Sequence, residues 1–413
     1  MNFISNLKFY QDDKLSAYLT FFLSILPISL LTGSAIVNLN LLIISLLYLL
    51  ILLKKKVINL FSDKYFILLL LFWFSLLLNL IFSLNFENSI SRAVGFIRFL
   101  ILALAFKYCF ELKNEFYKNI IIKTWSLILA VVIIDLIFEY ITGFNTLGYK
   151  SYMPGRLAGF LNQELIIGHY FSAFFLIVAV YIYQKYKSQK ILLLTLTFFL
   201  IISLLIGERG NFLRVLSMII LFVFIVNKNL WYKKLIFLFS FIIIIFGIMS
   251  FNINLKYRFY NQFLEPFIKL DIDYITKNNI YFNIYDKGYS VFKENKLFGV
   301  GLKNFRIESQ KQKYTNENLS VSKYLNTTHP HQVHLEFLSE TGIFGYSSFI
   351  IFILFSFYYS IKNYFQKGNF YSLASMLFIL MSIAPLIPSG SFFTTYGATF
   401  FWLNYGIMIS KNK

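Results

Sequence analysis

Apolar runs of about twenty residues recur along the chain, each closed by a short polar break. They predict helices near 15–32, 35–53, 65–83, 93–110, 119–141, 164–184, 189–207, 211–227, 235–251, 332–360, 370–388 and 391–410. A helix rising ~1.5 Å per residue needs ~20 apolar residues to cross a ~30 Å hydrocarbon core. The expected fold is therefore an all-α polytopic membrane protein of about twelve transmembrane helices. Two polar stretches are too long to be turns: Thr142 to Gln163, and residues 252–331 between the ninth and tenth spans. Within the second, Asp286–Lys296 and Leu302–Ile307 mix aromatic and charged residues as short interfacial helices do. Residues 252–331 are thus expected to form a large, mostly helical periplasmic cap inserted in a single membrane domain, 1–413. Gly299-Val300-Gly301 reads as a turn inside it; no strand precedes it, so it is no nucleotide-binding loop.

Composition agrees: 58% of the 413 residues are hydrophobic and 14% charged, which excludes a soluble domain. The net charge of +19 and pI near 9.6 would point to nucleic acid in a soluble protein. Here the lysines follow the spans instead. The breaks after even-numbered spans carry Lys54–Lys56 and Lys64, Lys107 to Lys123, Lys185 to Lys190, Lys228 to Lys234, and Lys362 with Lys367. Cationic loops stay in the cytoplasm, so both termini are expected there, with membrane lipids and no nucleic acid as partners. The polar start, Met1 to Lys14, has no cleavable-signal pattern. The single cysteine, Cys109, falls in an apolar run and reads as a buried thiol.

Arginine is distributed differently. All seven, Arg92, Arg98, Arg156, Arg209, Arg214, Arg258 and Arg306, fall on or near the outer side of this topology. Lysine suffices to anchor a loop, whereas the planar guanidinium grips phosphate bidentately. Asp135, Glu139, Glu164 and Glu208 join them at outer helix ends. A charge inside a span is costly, so Arg98 and Arg214, about two turns in, require either ion-pair partners or an anionic ligand.

Three of the four histidines, His329, His331 and His334, cluster where the cap re-enters the membrane at Pro330. Pro330 suits a first helical position. Projection at ~100° per residue puts His331 on the stripe of Leu335, Leu338, Gly342 and Gly345, with Glu336 and Glu340 roughly opposite. A His-x-His-x-x-His metal site is the competing idea. The projection turns His334 about 60° away, and no carboxylate is fixed beside it by spacing.

These residues resemble the O-antigen ligase and polymerase superfamily of bacterial envelope glycan enzymes. The most specific likeness is the ligase-type pattern of His-Asn/Ser/Gln, nine residues, Gly, two residues and Gly/Thr/Tyr, which reads here His331-Gln332, then Gly342-Ile343-Phe344-Gly345. Gly155-Arg156-Leu157-Ala158-Gly159-Phe160, Gly207-Glu208-Arg209-Gly210 and Asn295-Lys296-Leu297-Phe298-Gly299-Val300-Gly301 are similar to family landmarks in the expected order. Gly210 stands where many relatives carry threonine, and the N-terminal third is similar only in hydropathy.

The resemblance implies a multi-spanning, metal-independent, cofactor-free GT-C type glycosyltransferase of the inner membrane. It would transfer a glycan from undecaprenyl pyrophosphate to an acceptor hydroxyl at the periplasmic face, most readily O-antigen to lipid A-core in lipopolysaccharide biosynthesis. Developing charge on the leaving diphosphate calls for fixed guanidinium groups: Arg156 and Arg209 first, then Arg214 and Arg258. The acceptor proton calls for a base near neutrality, and His331 is the candidate. His329, His334 and Glu340 complete the expected substrate-binding set. An O-antigen polymerase or a protein O-oligosaccharyltransferase of the same superfamily is the alternative enzyme, and a lipid-linked glycan transporter the non-enzyme one. A transporter would place charges at the midplane between repeated halves, and neither feature is present in the sequence.

Overall fold

The computed structural model describes residues 14–54, 62–226, 231–316, 319, 327–385 and 387–411. The breaks expected at Lys55, Lys56 and Lys228 lie outside the described residues. Every element described is helical, and the chain is an all-α polytopic membrane protein. A helix occupies each of the twelve apolar stretches: α1 Lys14–Ser24 with α2 Leu26–Thr32, α3 Ser34–Lys54, α4 Lys64–Ile81, α5 Phe86–Gly95 with α6 Ile97–Glu111, α7 Glu115–Thr142, α8 Ile167–Tyr186, α9 Gln189–Ile206, α10 Arg209–Val226 and α11 Trp231–Phe251. After the cap come α14 Val333–Lys367, α15 Phe370–Ser382 and α16 Thr395–Met408.

Eight of these are long and apolar enough to cross a bilayer, and up to ten if each bent pair is one span. The pair α1 and α2 bends by 41° at a break before Pro27. With 13 and 14 residues, α15 and α16 rise only ~20 Å each. In the chain between them Ser389, Ser391, Phe392 and Phe393 are buried. Short polar side chains open the helices: Asn85, Asn114, Ser188, Asn279, Gln332 and Thr394 each accept a backbone N–H in the first turn. Left-handed glycines such as Gly143 and Gly368 close them.

An aromatic core fixes the centre. Phe72, Phe96, Phe352 and Trp402 pack with Phe337 and Phe349, whose rings stack at 4.1 Å. One end of the bundle collects Ser16 on Tyr108, Lys107 on Asp63 and the Lys411 N–H on Glu111, so the first and last described helices begin and end together there.

The opposite end carries the cap. A 119° bend after α11 turns α12, Ile253–Ile268, across the bundle end, and α13, Ile280–Glu294, follows. The cap is then fastened to a break in α14. Gly342 has φ +65° and ψ −168°, which interrupts the helix between Thr341 and Ile343. The freed N–H groups of Ile343 and Phe344 donate to the Lys296 and Leu297 carbonyls at 2.8 and 3.1 Å. The Val300 and Gly301 N–H groups donate to Ser339 and Glu340 carbonyls at 2.9 and 2.8 Å. Asn79 Nδ2 donates to the Phe298 carbonyl (2.6 Å) and tethers the same turn to α4. Gly299-Val300-Gly301 is therefore the fastening turn of the cap.

The structure corrects the helical projection of His331. Helix α14 begins at Val333 with Gln332 as its N-cap, and His331 lies before it at φ +53°. Pro330 is not a first helical residue, because the chain turns left-handed immediately after it.

Candidate active site

Two family-like stretches meet beneath the cap. The Leu157 N–H donates to the Ile206 carbonyl (3.1 Å), laying the loop that follows α7 along the end of α9. Glycine permits the approach. A Cβ on Gly207, at φ +75°, would stand 1.8 Å from the Gly155 carbonyl oxygen, and one on Gly155, at φ +74°, would meet the Arg258 side chain at 2.7 Å. Arg258 Nε in turn donates to the Gly207 carbonyl at 3.1 Å. Loop, helix end and α12 thus interlock around three guanidinium groups.

Arg156 pairs with Glu208 at 3.2 Å and donates to the carbonyl of Leu165, a residue held left-handed at φ +46°. Glu208 also accepts from the Gly168 N–H (3.0 Å), so it caps the start of α8 while it orients Arg156. Arg209 opens α10, and its one hydrogen bond among the described residues is a long 3.4 Å contact to the Gln262 carbonyl. Arg214, one turn deeper and 2% exposed, donates to Asn211 Oδ1 (3.0 Å) and to the Pro388 carbonyl (2.7 Å). Arg156, Arg209 and Arg258 lie within mutual electrostatic range, as do Arg214 and Glu208.

The histidines meet the chain one residue beyond the Pro388 carbonyl that Arg214 binds. The His331 carbonyl accepts the Ser389 N–H (2.8 Å), which ties the residue to the segment between α15 and α16 at Pro388–Ser391. Its ring lies 4.0 Å from that of His329 and 6.1 Å from that of Tyr281. Burial holds the His331 pKa below the ordinary histidine value, with a smaller opposing effect from the Ser389 backbone. Burial, then the neighbouring His331, pushes His329 down to about 3. Both rings are neutral near pH 7. Tyr281 is the link to the arginines, since Arg209, Arg214 and Arg258 all lie within electrostatic range of its phenol.

Not every expected residue joins the group. His334 faces away, with Nε2 at 2.7 Å from the Ile383 carbonyl and Nδ1 at 3.1 Å from the Tyr346 hydroxyl. Glu340 has Glu336, Arg92 and Arg306 as its charged neighbours, at the fastening of the cap. Arg98 stays local, donating to the Gly95 carbonyl (2.9 Å) over the Phe99 ring. Asp135 accepts from the Thr146 N–H at 2.8 Å, and Glu139 from Ala158 and Gly159 N–H at 2.8 Å each. These two acids hold the loop that carries Arg156.

Sequence reasoning missed Tyr281, Tyr285 and the Pro388–Ser391 link. The only signal for the link was the interruption Ile387-Pro388-Ser389-Gly390-Ser391 in an apolar run. Around the group, Arg156 Nε, Arg214 Nε, His329 Nε2, Tyr285 Oη and Ser389 Oγ are buried with no hydrogen-bond partner among the described residues. Buried polar atoms are normally satisfied, so this hydrogen-bonding capacity suits a polar, anionic ligand.

Fold and site together define a polytopic membrane protein with a group of guanidinium side chains gathered beneath α12 and α13 at one end of its bundle. Residues 191–350 match the family model described as O-Antigen ligase. That span contains Arg209, Arg214, Arg258, the cap, the three clustered histidines and the Gly342 break; Arg156 precedes it. No curated protein matches the chain. The match covers residues 191–350 of the 413, so it is this part of the chain that is similar to the O-antigen ligase family.

Proposed function

We propose that this protein transfers a glycan from undecaprenyl pyrophosphate to an acceptor hydroxyl at the periplasmic face of the inner membrane, as an O-antigen ligase acting on lipid A-core. The observation that carries the reading is the convergence of Arg156, Arg209 and Arg258 on the Gly155–Gly207 contact, with Tyr281 linking them to His331. The donor diphosphate lies along the guanidinium groups, where charge on the leaving oxygen is stabilised in a low-dielectric site. The acceptor oxygen attacks the anomeric carbon as the bond from that carbon to the diphosphate breaks. Its proton passes to the neutral imidazole of His331, and polyprenyl diphosphate leaves as the anion. Direct displacement inverts the anomeric centre and requires no glycosyl-enzyme intermediate.

Two features support His331 as the base. Its depressed pKa keeps the ring neutral and able to accept a proton. Its left-handed backbone, which costs ~1–3 kcal/mol in a non-glycine residue, is retained where a site over-determines geometry. The test is purified protein given a defined lipid-linked glycan and separate acceptors, with product analysis. Glycan joined to lipid A-core supports ligation; extension of the lipid-linked chain instead assigns the polymerase branch. Consumption of no donor with any acceptor rejects glycan transfer.

A further inference from the structure

The cap helix α13 brings to the arginine and histidine group two tyrosines that phosphate chemistry does not require. Its Gly288 packs against Pro330 and Leu335, so close that a Cβ would stand 3.0 Å from the proline. The helix therefore lies directly over the His331 turn. Tyr281 and Tyr285 are one turn apart on it, their rings 6.5 Å apart at 39°. Tyr281 meets His331 nearly edge to face, at 77°. Tyr285 lies within electrostatic range of Arg214, and its hydroxyl is buried with no hydrogen-bond partner among the described residues.

The geometry points to Tyr281 and Tyr285 as the specificity-determining residues for the donor sugar attached to the diphosphate. This inference rests on the glycan-transfer reading. In a displacement at the anomeric carbon, the sugar ring must sit between the leaving diphosphate and the base. The arginines fix one side and His331 the other; Tyr281 is the side chain that packs on His331 and lies within electrostatic range of Arg209, Arg214 and Arg258. An aromatic face packs against the C–H face of a pyranose, and a buried phenol with a free hydrogen-bonding atom reads a ring hydroxyl. A site built to hydrogen-bond a substrate hydroxyl discriminates strongly against analogues lacking it.

The experiment uses the purified full chain in lipid nanodiscs. It compares kcat/KM for a polyprenyl diphosphate-linked oligosaccharide with inhibition by unglycosylated undecaprenyl diphosphate. Tyr285→Phe is expected to lower kcat/KM about tenfold, the usual worth of one hydrogen bond, and Tyr281→Ala by ~10–100-fold, whereas Tyr281→Phe keeps the ring and most of the activity. Inhibition by the sugar-free diphosphate should be unchanged in all three and weakened in Arg209→Lys. Tyr285→Phe and Tyr281→Ala at wild-type activity would overturn the assignment. So would equal weakening of the sugar-free inhibitor, which would place the tyrosines on the phosphate. Wild-type protein that transfers no glycan instead removes the underlying reading, so the two failures are distinguishable.

Discussion

A guanidinium taken out of water needs fixed acceptors or an anion, and the four arginines differ in how far the protein meets that need. Arg214 has two short acceptors, and Arg156 has the Glu208 carboxylate and the Leu165 carbonyl; Arg258 has one 3.1 Å hydrogen bond, and Arg209 only one 3.4 Å contact for five N–H donors. Arg209 therefore has the most hydrogen bonding left for phosphate. Arg209→Lys keeps the charge and loses the fork, and kcat/KM should fall ~10–100-fold, the worth of a charged hydrogen bond; full activity in a steady-state assay would return Arg209 to a structural role. For His331 the active form is the neutral ring, and its pKa lies below the ordinary histidine value of ~6.5. Protonation below that pKa removes the base. The rate should thus fall on acidification with a midpoint below the ordinary histidine value of ~6.5. His331→Ala should lose ~10²–10⁴ in rate and with it the acidic limb. His331→Asn, which tolerates the left-handed backbone, should be equally inactive while folding normally. An acidic limb lying above the ordinary histidine pKa, or near-normal turnover of either variant, would remove His331 as the base.

At the level of elements, the broken helix α14 explains the glycines of the His-Gln to Gly-x-x-Gly pattern. The φ/ψ of Gly342 is open essentially to glycine alone, and a Cβ there would stand 2.3 Å from the Leu297 carbonyl oxygen. Gly342→Ala should destabilise the protein by at least ~2 kcal/mol, seen as a lower thermal midpoint with faster proteolysis of the cap. Gly247→Ala, on α11 with nothing within 4 Å of the added methyl, is the control and should melt as wild type; equal midpoints for both would show that the break does not depend on Gly342. The same helix shows what was legible in the sequence. Its apolar run was plain because lipid demands about twenty apolar residues in a row. The break was not, because its amides are satisfied by Lys296–Gly301, residues distant in sequence and near only in space. Likewise the Arg and His residues stood out by type and placement, while Tyr281 and Tyr285 resembled any aromatic interfacial helix until α13 was seen over His331. The burial of Ser389, Ser391, Phe392 and Phe393 between the short helices α15 and α16 is a consequence of packing that hydropathy does not encode.

At the scale of the whole molecule, the two ends of the bundle differ in charge chemistry. The cap end gathers Arg156, Arg209, Arg214 and Arg258, with Arg92 and Arg306 beside Glu340. The other end holds Lys107 and both the first and last described helix termini. This group of arginines meets a lipid-linked diphosphate only on the side where that donor carries its finished glycan, so the proposed reaction requires the cap to be periplasmic. The lysine-rich breaks make the same demand, because cationic loops are retained in the cytoplasm. Orientation can be read directly because the native Cys109 is buried at 0% exposure. In a Cys109→Ser background, Lys313→Cys on the exposed cap should react with a membrane-impermeant maleimide in intact spheroplasts. Lys190→Cys, exposed at the start of α9 at the opposite end, should react only after lysis. Labelling in the reverse order would put the arginine group in the cytoplasm, away from any finished lipid-linked glycan, and glycan transfer by this group at the periplasmic face would have to be abandoned.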